Sequence, residues 1–101
     1  MEEENASREL RIRVGDGCTQ HSGTDRYPHV LHSIDERYKS GPLKGHPSRV
    51  TVSHEYPKFT KYVHLSYRRE IDAWSEVGKS AKRRFCFRFA NGATEFIDPD
   101  F

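Results

Sequence analysis

Apolar and polar positions alternate strictly over residues 8–14, where Leu10, Ile12 and Val14 stand against Arg11 and Arg13. A period of two predicts a half-buried strand. Residues 25–38 carry a different pattern. Tyr27, Val30, Leu31, Ile34 and Tyr38 recur at three- and four-residue intervals, which predicts one face of an amphipathic helix. Thr24 or Asp25 would cap it, Pro28 suits its first turn, and Gly41-Pro42 would end it. Alternation returns over 48–54 (Val50 and Val52 against Arg49 and Thr51). It continues over 59–67, where Phe59, Lys61, Val63, Leu65 and Tyr67 share a side. The turn between them, 55–58, makes the pair a hairpin. Ile71, Trp74 and Val77, capped by Ser66 and stopped by Gly78, predict a short second helix. A last hairpin spans 82–98 with Asn91-Gly92 at its turn, the dipeptide that a type I′ turn favours. That register places Phe87 opposite Phe96 and Arg88 opposite Glu95.

The element order is therefore strand, helix, strand, strand, helix, strand, strand. It predicts an α+β fold: a mainly antiparallel sheet of about five strands with two short helices on one face. Phe85, Phe87, Phe89 and Phe96 would face the helices as core. Arg11, Arg13, Arg49, Arg84 and Arg88 would occupy the opposite sheet face. Residues 1–7 read as an acidic, disordered arm and 8–101 as a single domain.

Composition changes this picture in one respect. The chain of 101 residues is polar, with 32% charged and 34% hydrophobic residues and a mean hydropathy of -0.92. Its net charge is +2, but the charge is unevenly spread. Residues 39–88 hold twelve Lys and Arg against four acids, while both ends are acidic. A basic middle of this strength points to an anionic partner. No apolar run approaches a membrane span, and the acidic N-terminus does not read as a secretory signal. Two cysteines far apart do not form a disulfide framework. The expected setting is intracellular, in cytoplasm or nucleus, with no membrane partner.

Four constellations could carry chemistry. The first is a basic set with interleaved aromatics: Arg68, Arg69, Lys79, Lys82, Arg83, Arg84 and Arg88, with Arg11, Arg13 and Arg49 on the expected sheet face. Nucleic-acid binding needs cations to displace counterions and rings on which bases stack. The stretch 83–89, RRFCFRF, is similar to the RNP1 strand of RNA-recognition motifs in setting alternate aromatics after a basic residue. It departs from that strand at Arg84, where the motif has glycine, and at Arg88, where it has an aliphatic residue. A hairpin follows it rather than a helix, so that family's fold is not expected. The second is Cys18, His21, His29 and His32, whose paired spacing resembles that of zinc ligands. The competing reading makes His29 and His32 exposed polar-face residues, and no cofactor is expected. The third is Cys86, close to Arg84 and Arg88 but with no histidine placed as its base. No enzyme is expected. The fourth is Trp74, either a core plug or an interface anchor, with the final strand as an edge for pairing with a second copy.

The expected function is non-catalytic nucleic-acid binding, RNA ahead of DNA, through the basic surface, with a homodimer suited to a duplex. Small polar proteins with a charge block and no enzymatic motif are common among viral accessory proteins, including suppressors of host RNA silencing. On composition alone, and with no motif to carry it, a viral accessory role of this kind is the expectation. The alternatives are an adaptor that meets an acidic protein partner through Trp74 and a small zinc-binding regulatory protein.

Overall fold

The computed structural model describes residues 7–89. The acidic arm before Ser7 and the Asn91-Gly92 hairpin turn with its return strand lie outside the described residues. Six strands follow one another: β1 (Gly17–Ser22), β2 (Asp25–Arg37), β3 (Pro47–Glu55), β4 (Thr60–Arg68), β5 (Ala73–Glu76) and β6 (Phe85–Arg88). Each pairs antiparallel with the one before it. β6 returns to β1 with Thr19 opposite Arg88 and Ser22 opposite Phe85, which closes the sheet into a barrel. The α+β expectation is thus overturned. The fold is an all-β closed barrel, with no α-helix among the described residues.

The supposed first helix is β2, and its bulges explain the deception. Leu31 faces Val52 and Ile34 faces Val50, with register shifts between Leu31 and Ser33 and again beyond Ile34. Each bulge inserts a residue into a period-two strand. Inward positions then fall at 29, 31 and 34, so Leu31 and Ile34 turn inward three residues apart, as on a helix, while Val30 of the same apolar set is exposed. The supposed second helix is the end of β4, a tight turn over 69–72, and β5. Trp74 is fully buried, whereas Ile71 is half-buried and Val77 exposed. Asp72 takes a positive φ of 48° in that turn, a conformation aspartate tolerates better than most residues.

The β3–β4 hairpin is as the alternation foretold. Val50 pairs with Leu65 and Val52 with Val63, all four buried. Residues 56–59 connect the strands, and the Tyr56 N–H donates to the Phe59 carbonyl at 2.8 Å.

The expected first strand, 8–14, does not join the sheet. Ser7, assigned to the arm, caps a 3-10 turn over Arg8–Leu10 by accepting from the Glu9 N–H. Leu10 and Ile12 are buried in the core beside Trp74 and Phe89. This segment plugs one end of the barrel. The Trp74 indole donates to the Glu9 carbonyl, and the Glu9 carboxylate accepts from the Phe89 N–H at 2.8 Å. In an up-and-down barrel, the β1–β2, β3–β4 and β5–β6 connections leave from one end. That end, here called distal, lies away from the β2–β3 loop and the β4–β5 turn. No helix among the described residues is long and apolar enough to cross a membrane.

Candidate nucleic-acid interface

The basic cluster enters β6 through a tight turn. The Phe85 N–H donates to the Lys82 carbonyl at 3.1 Å, which sets Arg83 and Arg84 at its corners. Neighbours hold the turn's backbone. The Arg84 carbonyl accepts from the Gly23 N–H at 2.9 Å, and the Cys86 thiol donates to the Arg83 carbonyl at 3.3 Å. Gly23 has φ +64, which glycine adopts without steric cost, so the β1–β2 turn can present that N–H. The side chains of Lys82, Arg83 and Arg84 are exposed.

Exposed rings stand at the same end. Phe85 lies on the inward side of β6 with Phe87 and Phe89, but beyond the filled part of the barrel. It is 55% exposed, against 5% and 6% for the other two. The expected core role holds for Phe87 and Phe89 and fails for Phe85. At the β3–β4 tip, Tyr56 stacks on Phe59 with centroids 4.7 Å apart and planes at 21°. The ring series runs inward through His54 to His29. Phe59 is 60% exposed, and the exposed Lys58 and Lys61 are near neighbours of the pair in sequence. Sequence reasoning missed this stack. Phe59, expected in the second strand of the hairpin, lies in the connection instead, and only Tyr56 fell inside the expected turn.

Between β5 and β6 the wall of the barrel parts. The two strands share one registered pair, Trp74 with Phe87. Distal to it lies a cleft of about 620 Å³ lined by Gln20, Glu76, Lys79, Lys82, Phe85 and Phe87, among others.

The other cations of the basic set divide by role. Arg68 donates from Nε to the Ser75 hydroxyl at 2.9 Å and from Nη2 to the Lys79 carbonyl at 2.7 Å. Arg88 donates from Nη1 to the Asp72 carbonyl and from Nη2 to the Ile71 carbonyl. These two brace loops. Arg69 lies on the β4–β5 turn at the plugged end, Arg49 on the outside of β3, and Arg11 and Arg13 on the plug segment. The expected single basic sheet face does not exist, because a closed barrel turns its outer positions in all directions.

The proposed zinc set does not converge. Cys18 faces His29 across β1 and β2, while His21 faces Arg26 on the other side of the pleat. Cys18 and His29 are buried, whereas His32 is exposed and packs on Tyr62. Among the described residues no group of three or more His, Cys, Asp or Glu could hold a metal ion.

Both cysteines are free and buried. Burial pushes the Cys18 thiol well up, assisted by Glu9 and Cys86. It also pushes Cys86 up, against the opposing pull of Arg88. Both shifts favour the thiol over the thiolate. Trp74 is 0% exposed and offers no surface to a partner. β1 and β6 are paired with each other, and the final strand expected as an edge for a second copy lies outside the described residues.

A polar chain crosses the outside of β2, β3 and β4. The Thr51 hydroxyl donates to Asp35 at 2.6 Å and accepts from His64 Nδ1 at 2.9 Å, and Ser33 donates to the other Asp35 oxygen at 2.7 Å. Each of these hydrogen bonds ties one strand to its neighbour or secures the β2 bulge.

No protein-family model, curated protein or solved structure matches this chain.

Proposed function

We propose that this chain is a non-catalytic nucleic-acid-binding protein, RNA ahead of DNA, that engages its ligand at the distal end of the barrel. One observation carries the reading. The hydrogen-bonded cationic turn at 82–84, Phe85 at the start of β6, and Tyr56 and Phe59 in the β3–β4 connection all stand at the same barrel end. Cations that replace counterions, beside rings that accept bases, are the two parts such an interface requires. RNA comes first because the described residues hold no helix to enter a DNA major groove, and RNA recognition relies on rings that stack unpaired bases.

The test is fluorescence anisotropy with labelled RNA and DNA oligonucleotides at two salt concentrations. Affinity should fall steeply with salt. It should be lost in Arg83→Glu/Arg84→Glu while the circular dichroism spectrum is unchanged. Absence of binding at low salt, or binding indifferent to the double substitution, would sink the proposal.

A further inference from the structure

We infer that the parted seam between β5 and β6 is a pocket for one unstacked nucleobase of a single strand. Phe85 provides the stacking face, Gln20 the amide that reads the base edge, and Lys79 and Lys82 the contacts to flanking phosphates. This inference rests on the proposed function and narrows it to a single-stranded ligand.

The cleft is preformed. Beyond the Trp74–Phe87 pair the loop 77–84 leaves β5 instead of continuing the ladder, and hydrogen bonds hold it in place. The Val77 N–H donates to the His64 carbonyl at 2.9 Å and the Lys79 N–H to the Glu76 carbonyl at 2.9 Å. Arg68 clamps the Lys79 carbonyl from outside. Gly78, with φ +90, permits the sharp turn between them. The resulting volume of about 620 Å³ falls within the range of about 300–1,000 Å³ that small organic groups occupy.

The lining specifies the occupant. Gln20 and Phe87 lie opposite one another on the inward side of β1 and β6, so the amide lies beside an apolar ring. Phe85 stands farther out with its ring half in solvent. Glu76, also lining the cleft, adds an acceptor for an exocyclic amino group or ring N–H. An amide and a carboxylate between aromatic faces match the hydrogen-bonding edge of a planar base. Lys79 and Lys82 border the same space, and Lys82 continues into the 82–84 turn. The phosphates on either side of a bound base would therefore run toward cations. A base within a duplex cannot reach this cleft without unpairing, so the ligand is single-stranded. The Tyr56–Phe59 stack at the same end offers the next bases a second platform.

The test compares wild-type protein with Phe85→Ala, Phe85→Tyr and Gln20→Ala. The probes are a labelled single-stranded RNA 12-mer, the same 12-mer with abasic positions, a blunt RNA duplex and a mononucleotide. Phe85→Ala should weaken binding to the 12-mer by about tenfold or more and leave the abasic probe unaffected. Phe85→Tyr should restore the affinity, and Gln20→Ala should flatten preferences among homopolymers. Duplex and mononucleotide should both bind more weakly than the 12-mer. Equal binding of duplex and 12-mer, equal binding of mononucleotide and 12-mer, or an unaltered Phe85→Ala affinity overturns the base pocket. None of those results removes nucleic-acid binding itself, which the Arg83→Glu/Arg84→Glu variant decides separately.

Discussion

The indole N–H of Trp74 donates to the main-chain carbonyl of Glu9 at 3.1 Å, in a fully buried position and across sixty-five residues of sequence. This bond joins β5 to the segment that plugs the barrel. Glu9 contributes a second bond, its carboxylate accepting from the Phe89 N–H. The plug is thus tied to the barrel by hydrogen bonds as well as by the burial of Leu10 and Ile12.

Trp74→Phe removes the donor and leaves both a buried carbonyl without its partner and a small void. A loss of about 2 kcal/mol or more is expected. Urea unfolding followed by circular dichroism is the appropriate measurement, because Trp74 is the chain's one tryptophan and its fluorescence disappears with it. An unchanged midpoint would mean that the plug does not contribute to stability.

The arginines should separate into two classes. Arg68 and Arg88 donate to loop carbonyls, so Arg68→Ala and Arg88→Ala should each lower stability by about 1 kcal/mol. Arg83 and Arg84 point into solvent from a turn held by its backbone, and their reversal should leave the unfolding midpoint in place while removing ligand affinity. Arg49→Glu and Arg69→Glu, away from the distal end, should retain most of the binding. Unfolding curves and anisotropy on Arg68→Ala, Arg88→Ala, Arg83→Glu/Arg84→Glu, Arg49→Glu and Arg69→Glu read out the division. A uniform loss of affinity across all of them would indicate a diffuse electrostatic effect with no localised interface.

Much of the burial pattern was legible in the sequence, but less of the architecture. The alternation at 48–54 and 59–67 identified β3, β4 and the inward residues Val50, Val52, Val63 and Leu65 because that hairpin is regular, but Phe59, on the same side by alternation, lies exposed in the connection. At 8–14 the alternation marked Leu10 and Ile12 as buried, yet they plug the barrel and do not extend a ladder. In β2 the bulges shift the inward phase, and no local signal distinguishes a bulged strand from an amphipathic helix. Closure itself depends on β1 meeting β6, a contact between distant segments that no window of sequence contains. The site shows the same division. The cations were visible by composition, but the bracing roles of Arg68 and Arg88 arise from carbonyls that only the fold brings near. Alternation placed Phe85 on the inward side, and only the length of the filled barrel shows that it emerges at the rim.

Thr51 links three strands through its hydroxyl, which donates to Asp35 on β2 and accepts from His64 on β4. Thr51→Val keeps the shape and removes both bonds. Thr51 is buried, so the expected cost is about 1–3 kcal/mol. Chemical denaturation measures it directly. Thr51→Ser keeps the hydroxyl and drops the methyl, so it should cost less than Thr51→Val; an equal or larger cost for the serine would mean that packing around the methyl outweighs the two hydrogen bonds.

Stability should fall as the solution is acidified through the histidine range. His29 is buried beside His54 and Phe87, and its Nδ1–H donates to the Tyr27 carbonyl. Burial lowers its pKa. The Tyr27 bond opposes that shift, and His54 and Lys61 add to it. His21 is lowered in the same direction, by burial and then by Arg26 and Arg88. In the unfolded chain both histidines take up a proton near pH 6.5, whereas in the fold they remain neutral to lower pH. Below that point the unfolded state binds more protons, so acid favours unfolding. The stabilising difference is fully present above about pH 6.5. It is lost as pH falls from there toward the folded-state values. Thermal midpoints measured from pH 7.5 to 5.5 should therefore decline, before carboxylates titrate. His29→Gln should remove part of the slope and His21→Gln a further part. A decline of the same steepness in the double variant would show that other groups govern it.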